Sequence, residues 1–132
     1  MRFLIIDHSP IMRRAIMNSL RTMGYDDFVE AENGVSGLEI LKNSEIDFVT
    51  TEWDMQNMSG IELVKAIRED EKLKNIFILM VTSRDSKADI IEALKAKVNN
   101  YVVKPFATQT LKEKIEAILN DSNRDPAKMF FL

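Results

Sequence analysis

At 132 residues the chain has room for one domain, and its 45% hydrophobic and 30% charged residues are those of a folded globule. The net charge of −3 argues against a nucleic-acid partner, the absence of cysteine excludes disulfides and thiolate catalysis, and no apolar run approaches the roughly 20 residues that cross a bilayer. The opening segment reaches a charge at Asp7, too early for the apolar region of a signal peptide, and the composition suits a reducing cytoplasm.

In chain order, Phe3 to Ile6 forms the first short apolar run. Ser9 followed by Pro10 then reads as an N-cap with proline at the first helical position. Met12, Ile16, Leu20 and Met23 continue as a stripe at helical spacing, which Gly24 is placed to end. Further apolar runs follow at Phe28 to Ala31, Ile46 to Thr51, Ile76 to Val81 and Tyr101 to Val103. All but the second are nearly continuous, as suits strands covered on both faces. Ser59-Gly60-Ile61-Glu62 has the form of a capping box, and Leu111, Ile115, Ile118 and Leu119 make a closing helical stripe. The order is strand then helix, five times over, which predicts a parallel sheet with helices on both faces.

In open sheets of this class ligands sit beyond the carboxyl ends of the strands. Asp7-His8, Glu52-Trp53-Asp54, Thr82-Ser83 and Lys104-Pro105 each follow a strand, so four strand ends deliver polar groups to one edge. Asp7, Glu52 and Lys104 admit two readings. One is a structural ion pair that helps the strand ends pack. The other is a phosphoryl-transfer site, in which a carboxylate attacks phosphorus, other carboxylates hold Mg²⁺, and a lysine with a hydroxyl, here Thr82, stabilises the phosphoryl oxygens. His8, the single histidine, reads by itself as a hydrogen-bonded structural residue, and Trp53 as a partly exposed packing residue.

Five segments together resemble the receiver domain of two-component response regulators, and most closely the single-domain chemotaxis kind. They are Phe3-Leu4-Ile5-Ile6-Asp7, Met12-Arg13-Arg14, Glu52 through Gly60, Leu79-Met80-Val81-Thr82 and Tyr101 through Phe106. The resemblance spans roughly residues 2 to 120. It implies a doubly wound five-stranded parallel sheet of flavodoxin-like order 2-1-3-4-5, with a receiver domain over 1–121 and a tail over 122–132. By the same resemblance Thr82 and Lys104 match the switch threonine and the phosphate-binding lysine, and Tyr101 the aromatic that turns inward on activation.

Two departures strike one step. Glu52 stands where the family has its phosphoacceptor aspartate, and His8 stands where the second acid, a direct Mg²⁺ ligand, is usual. Asp7 keeps the first acidic place. The family's pocket carries three carboxylates and a lysine; here Asp7, Glu52 and Lys104 leave one net negative charge with His8 neutral. Imidazole for a hard oxygen ligand weakens or abolishes a Mg²⁺ site. Glu52 also carries its carboxylate one methylene further toward Lys104 and Thr82, away from the place an in-line attack needs. Lesser departures are Gln56 for the usual proline and Lys97 for a usual glycine, the latter costing roughly 1 kcal/mol at positive φ.

The expectation is therefore a cytoplasmic, monomeric receiver without a cofactor, not an enzyme, that acts by binding a protein. A motor component, a histidine kinase or another signalling protein would be the partner, with no nucleic acid and no membrane insertion. The alternative is a phosphoryl-accepting regulator that uses Asp54 or Glu52 as surrogate acceptor. The resemblance places the partner face on the fourth helix, fifth strand and fifth helix, with Lys87, Ile90, Leu94, Tyr101 and Lys114 upon it. Ile90 and Leu94 share a side of the fourth helix, with Ile91 expected toward the sheet and Tyr101 inward. No output domain is expected after residue 120, and Met129-Phe130-Phe131-Leu132 reads as a tail folded back on the domain or as a docking motif.

Overall fold

A computed structural model of the protein describes residues 1–121; the tail expected over 122–132, with Met129 to Leu132, lies outside the described residues. Five strands alternate with five helices: β1 Phe3–Ile6, α1 Pro10–Thr22, β2 Phe28–Ala31, α2 Gly34–Asn43, β3 Phe48–Thr51, α3 Gly60–Glu69, β4 Phe77–Thr82, α4 Lys87–Lys95, β5 Asn100–Val103 and α5 Thr108–Asn120. All neighbours in the sheet are parallel and their order is β2-β1-β3-β4-β5, as expected. Ile46 and Ile76 fall just outside β3 and β4, whereas Thr82 and Asn100 join β4 and β5.

A phenylalanine line sets the register. Phe3 pairs with Phe28 and Phe48, and Phe48 with Phe77, so four strands start level at one edge of the sheet. Neighbouring rings along this line lie 5.0 to 6.2 Å apart, tilted as the aromatic quadrupole favours. The four-residue strands β1, β2 and β3 therefore also end level, and β4 runs two residues further to Thr82. Asp7 N donates to Ala31 O, Glu52 N to Ile6 O and Lys104 N to Thr82 O, so each strand's last polar residue is tied to the strand beside it.

Alternation divides the core between the two faces. Phe3, Ile5, Phe48, Leu79 and Val102 pack with Ile16 and Leu20 of α1 and with Leu111, Ile115 and Ile118 of α5. Leu4, Ile6, Val49, Ile78, Met80 and Tyr101 pack with α2, α3 and α4 on the other face. The helix starts are those anticipated. Ser9 Oγ accepts from Met12 N, with Pro10 in the first turn, and Ser59 Oγ accepts from Glu62 N. Gly24 follows α1 at φ +93°, and Lys97 after α4 does adopt a positive φ of 77°.

The phase expected for α4 was reversed. Ile91 is 41% exposed and does not face the sheet. Ala93 is the buried residue of this helix, and Ile90 and Leu94 flank it half-buried against the core. A methyl at the contact lets α4 lie close to the sheet, so the larger side chains sit to either side. No helix among the described residues is long and apolar enough to cross a membrane.

Candidate functional site

The strand ends bring Asp7, Glu52, Thr82 and Lys104 to one edge, and the first, second and fourth of these meet directly. Lys104 Nζ donates to Asp7 Oδ2 at 2.6 Å and to Glu52 Oε1 at 2.9 Å. Both carboxylate side chains are buried, at 1% and 7% exposure, so the ammonium between them offsets most of their desolvation. Burial by itself would lower the Lys104 pKa, but the hydrogen bonds and charges of Asp7 and Glu52 outweigh it and the net shift is upward. The Lys104–Pro105 peptide is cis.

The remaining carboxylate oxygens are also engaged. Asp7 Oδ1 accepts from Ser9 N at 2.9 Å, beside the positive end of α1. Glu52 Oε2 accepts from the main-chain amides of Trp53 and Asp54. Arg13 from α1 adds a second cation: its Nη1 donates to Asp7 O at 2.6 Å while its Nε reaches Glu30 at 2.9 Å. The main chain at Glu52 is pinned by Gly60. Gly60 N donates to Trp53 O at 2.8 Å, and a Cβ at Gly60 would collide with the Glu52 carbonyl oxygen. Glycine is required there by close approach rather than by φ.

The extra methylene of Glu52 does carry its carboxylate to Lys104. Its second oxygen turns back to the amides instead of continuing toward Thr82. Thr82 is fully buried, and its Oγ1 accepts from Arg84 N at 3.4 Å. Trp53, expected to be partly exposed, is buried at 6%, because the Arg84 guanidinium lies over its ring with 4.5 Å to the centroid. Arg84 also grips Asp54 with two hydrogen bonds, of 2.9 and 2.6 Å. The hydrogen bond from Arg84 holds the Asp54 carboxyl below its ordinary range, partly opposed by burial and assisted by the guanidinium charge. Tyr101 is turned inward, 7% exposed, with its hydroxyl donating to Arg84 O at 2.7 Å. Burial pushes the phenol up to about 12, and the Asp89 charge adds to this.

His8 is not the hydrogen-bonded structural residue that its solitary occurrence suggested. Its side chain is 72% exposed and its Nδ1 stands 3.6 Å from Asp7 Oδ1, too far for a hydrogen bond. His8, Asp54, Gln56 and Arg84 border an open pocket of about 630 Å³ over the strand ends. A larger hollow of about 1000 Å³ lies at the opposite edge of the sheet, between residues 41–47 and 70–76, away from the convergent groups.

Mg²⁺, which the receiver resemblance implies, needs near-octahedral oxygen ligation. The residues present do not fit it. Asp7 has one oxygen on the Ser9 amide and the other on Lys104, Glu52 has one on Lys104 and the other on amides, and the next residue after Asp7 offers imidazole. Among the described residues no three His, Cys, Asp or Glu side chains converge as a metal site.

Of the expected partner face, Lys87 is exposed, Ile90, Leu94 and Lys114 are half-buried, and Tyr101 is buried behind them. Sequence reasoning missed Arg84 and Arg13. Both bind through main-chain groups and remote carboxylates, for which no local spacing is diagnostic.

Parallel strands in this order, closing on two acids, a lysine and a buried threonine hydroxyl, are the arrangement of a two-component signalling receiver. The chain belongs to the response regulator receiver domain family, whose sequence profile matches residues 3–116. Within that family it is 46% identical over 128 residues to a chemotaxis protein CheY homolog of Campylobacter jejuni, covering 96% of this chain and 98% of the relative. It is 47% identical over 124 residues to chemotaxis protein CheY1 of Helicobacter pylori, covering 93% of this chain and all of the relative. The solved structure of the chemotaxis response regulator CheY4 of Vibrio cholerae superimposes with a TM-score of 0.81 at 28% identity, over 88% of this chain and 96% of that one.

Proposed function

We propose that this chain is a chemotaxis-type receiver that signals by binding a protein partner without being phosphorylated. The observation that carries the reading is the state of Glu52: one carboxylate oxygen is held by Lys104 and the other by two main-chain amides. A nucleophile needs a free oxygen in line with phosphorus, and the two cationic and amide contacts here compete for each lone pair. The Glu52–Lys104 pair takes the place in which a phosphoryl group would meet that lysine, and so biases the Thr82–Tyr101 switch. Tyr101 in its inward position supports this. The protein acts as a binding module rather than an enzyme, as a cytoplasmic monomer, and uses no Mg²⁺. A motor component, a histidine kinase or another signalling protein docks on the α4, β5 and α5 face bordered by Lys87, Ile90, Leu94 and Lys114.

Incubation with acetyl phosphate or a cognate kinase tests the reading, and no acid-labile phosphate is expected on the intact protein. Glu52→Asp alone recovers little labelling, whereas His8→Asp with Glu52→Asp recovers much more, because both the acceptor and the metal ligand return. Saturable quenching of Trp53 by submillimolar Mg²⁺ would refute the metal claim. Efficient labelling of the unmodified chain that disappears on Asp54→Asn would replace the reading with the surrogate-acceptor one. The two Arg84 hydrogen bonds, which occupy both Asp54 oxygens, count against that outcome. Docking is followed by amide shifts as partner peptide is added. Normal binding by Ile90→Asp and Tyr101→Ala would move the site elsewhere.

A further inference from the structure

Arg84 lies in the short connection between Thr82, which ends β4, and Ser86, which caps α4. Its guanidinium forms a planar fork with Asp54, Nε to Oδ2 at 2.9 Å and Nη2 to Oδ1 at 2.6 Å. It also lies on the Trp53 ring, and Nη1 stands 3.5 Å from Asp89 Oδ1 in the first turn of α4. The main chain of the same residue closes toward β5: its carbonyl accepts the Tyr101 hydroxyl at 2.7 Å. The flanking Ser83 and Asp85 are exposed, and the loop's own link to β4 is the long 3.4 Å bond from Arg84 N to Thr82 Oγ1. Apart from the Tyr101 hydrogen bond itself, the connection is held chiefly through the Arg84 side chain.

We propose that Arg84 is a positioning residue, a strap whose anchorage on Asp54, Trp53 and Asp89 fixes the loop after β4 and thereby holds Tyr101 inward. The acceptor for Tyr101 is a main-chain carbonyl, so it survives any substitution of the side chain. Tyr101 responds to the loss of the guanidinium only if the side chain is what places that carbonyl. Isolated surface ion pairs hold little, but a two-point planar fork stacked on an aromatic ring is the strong form of the contact. Lysine cannot reproduce it, since it keeps the charge and loses both the fork and the stacking plane. The strap rests on different residues from the Glu52–Lys104 pair and stands whether or not the chain is phosphorylated.

The test labels the protein with 3-fluorotyrosine, using Tyr25→Phe to assign the Tyr101 resonance, and follows acrylamide quenching of Trp53, the single tryptophan. Arg84→Ala and Arg84→Lys should each raise the outward-to-inward ratio of Tyr101 by about five-fold, the ratio a contact of this class supports. Asp54→Asn should shift the ratio in the same direction, Trp53 quenching should rise in all three, and amide spectra should report an intact fold. Glu52→Gln weakens the separate Glu52–Lys104 pair, so Arg84→Ala should raise the outward-to-inward ratio in the Glu52→Gln background as well. An unchanged Tyr101 resonance in Arg84→Ala, with increased Trp53 quenching, would overturn the proposal by showing that the side chain only shelters the indole. Movement of Tyr101 in Glu52→Gln and not in Arg84→Ala would overturn it in favour of control from Lys104. Phosphate labelling is scored separately, so a labelled protein refutes phosphorylation independence without bearing on the strap.

Discussion

Lys104→Met removes the one ammonium that separates two buried carboxylates. In the native protein Nζ contacts Asp7 at 2.6 Å and Glu52 at 2.9 Å, and both acids are nearly inaccessible to water. Without it, like charges roughly 5 Å apart at an effective dielectric of about 20 repel by about 3 kcal/mol. Breaking a buried pair by deleting one partner costs ~3–5 kcal/mol in general. The lower part of that range applies, because the Ser9, Trp53 and Asp54 amides continue to donate to the two acids. A loss of ~3–4 kcal/mol lowers the midpoint of thermal unfolding by about 12–16 °C for a domain of this size. Urea unfolding, followed by Trp53 fluorescence and far-ultraviolet circular dichroism, reads the effect. Adding Glu52→Gln to Lys104→Met should restore at least half of the loss. A loss below about 1 kcal/mol would show that water already screens the pair, and the buried-triad argument would fail.

Arg68 offers a second stability test. Its guanidinium donates to the carbonyls of Lys97, Lys74 and Ile76 and to Asn99 Oδ1 at 2.6–2.9 Å, and burial pulls its pKa down to about 10. Arg68→Met keeps much of the apolar stem but strips donors from those carbonyls, and should cost ~2–4 kcal/mol in urea unfolding. Thr50 lies in register between Ile5 and Leu79, fully buried, and among the described residues its hydroxyl has no hydrogen-bond partner. Thr50→Val should therefore stabilise by ~1 kcal/mol, and a loss in the same assay would mean that the hydroxyl is satisfied. Lys104 and Tyr101 are both raised in the folded protein. Their linked stability is complete below about pH 10 and should fall as pH rises through the folded values, with Lys104→Met and Tyr101→Phe each flattening the alkaline limb of a stability–pH profile.

The strand ends were legible because two independent signals coincide in the sequence. Near-continuous apolar runs mark buried parallel strands, and the polar residues that close them must emerge at one edge. Ile46 and Ile76 blurred two boundaries, since both pack toward the core from the turns that lead into β3 and β4. Hydrophobicity reports burial, not backbone pairing. The phase of α4 was illegible for a related reason. Ile90, Ile91 and Leu94 all favour burial, and the decision went to Ala93, whose small size sets the approach of helix and sheet. Arg68 and Arg84 were hidden because their acceptors are carbonyls and acids 6 to 31 residues away. Only folded loops bring those together. The burial of Trp53 follows from the same cause, as its cover is supplied by Arg84 from another strand end.

The two acids that follow β3, Glu52 and Asp54, divide their work by direction. Glu52 turns into the molecule and Asp54 turns out of it, and each meets a cation from another strand end: Lys104 after β5, Arg84 after β4. Glu52 reaches both the amides of residues 53 and 54 and the Lys104 ammonium. Lys104 meets both buried carboxylates, while the Arg13 guanidinium is held by the Asp7 main-chain carbonyl and by Glu30. The His8 ring, next along the chain from Asp7, stays in solvent. On the proposed reading the two departures from the family pattern act on one step: Glu52 engages the lysine internally, and His8 withdraws an oxygen ligand from beside Asp7.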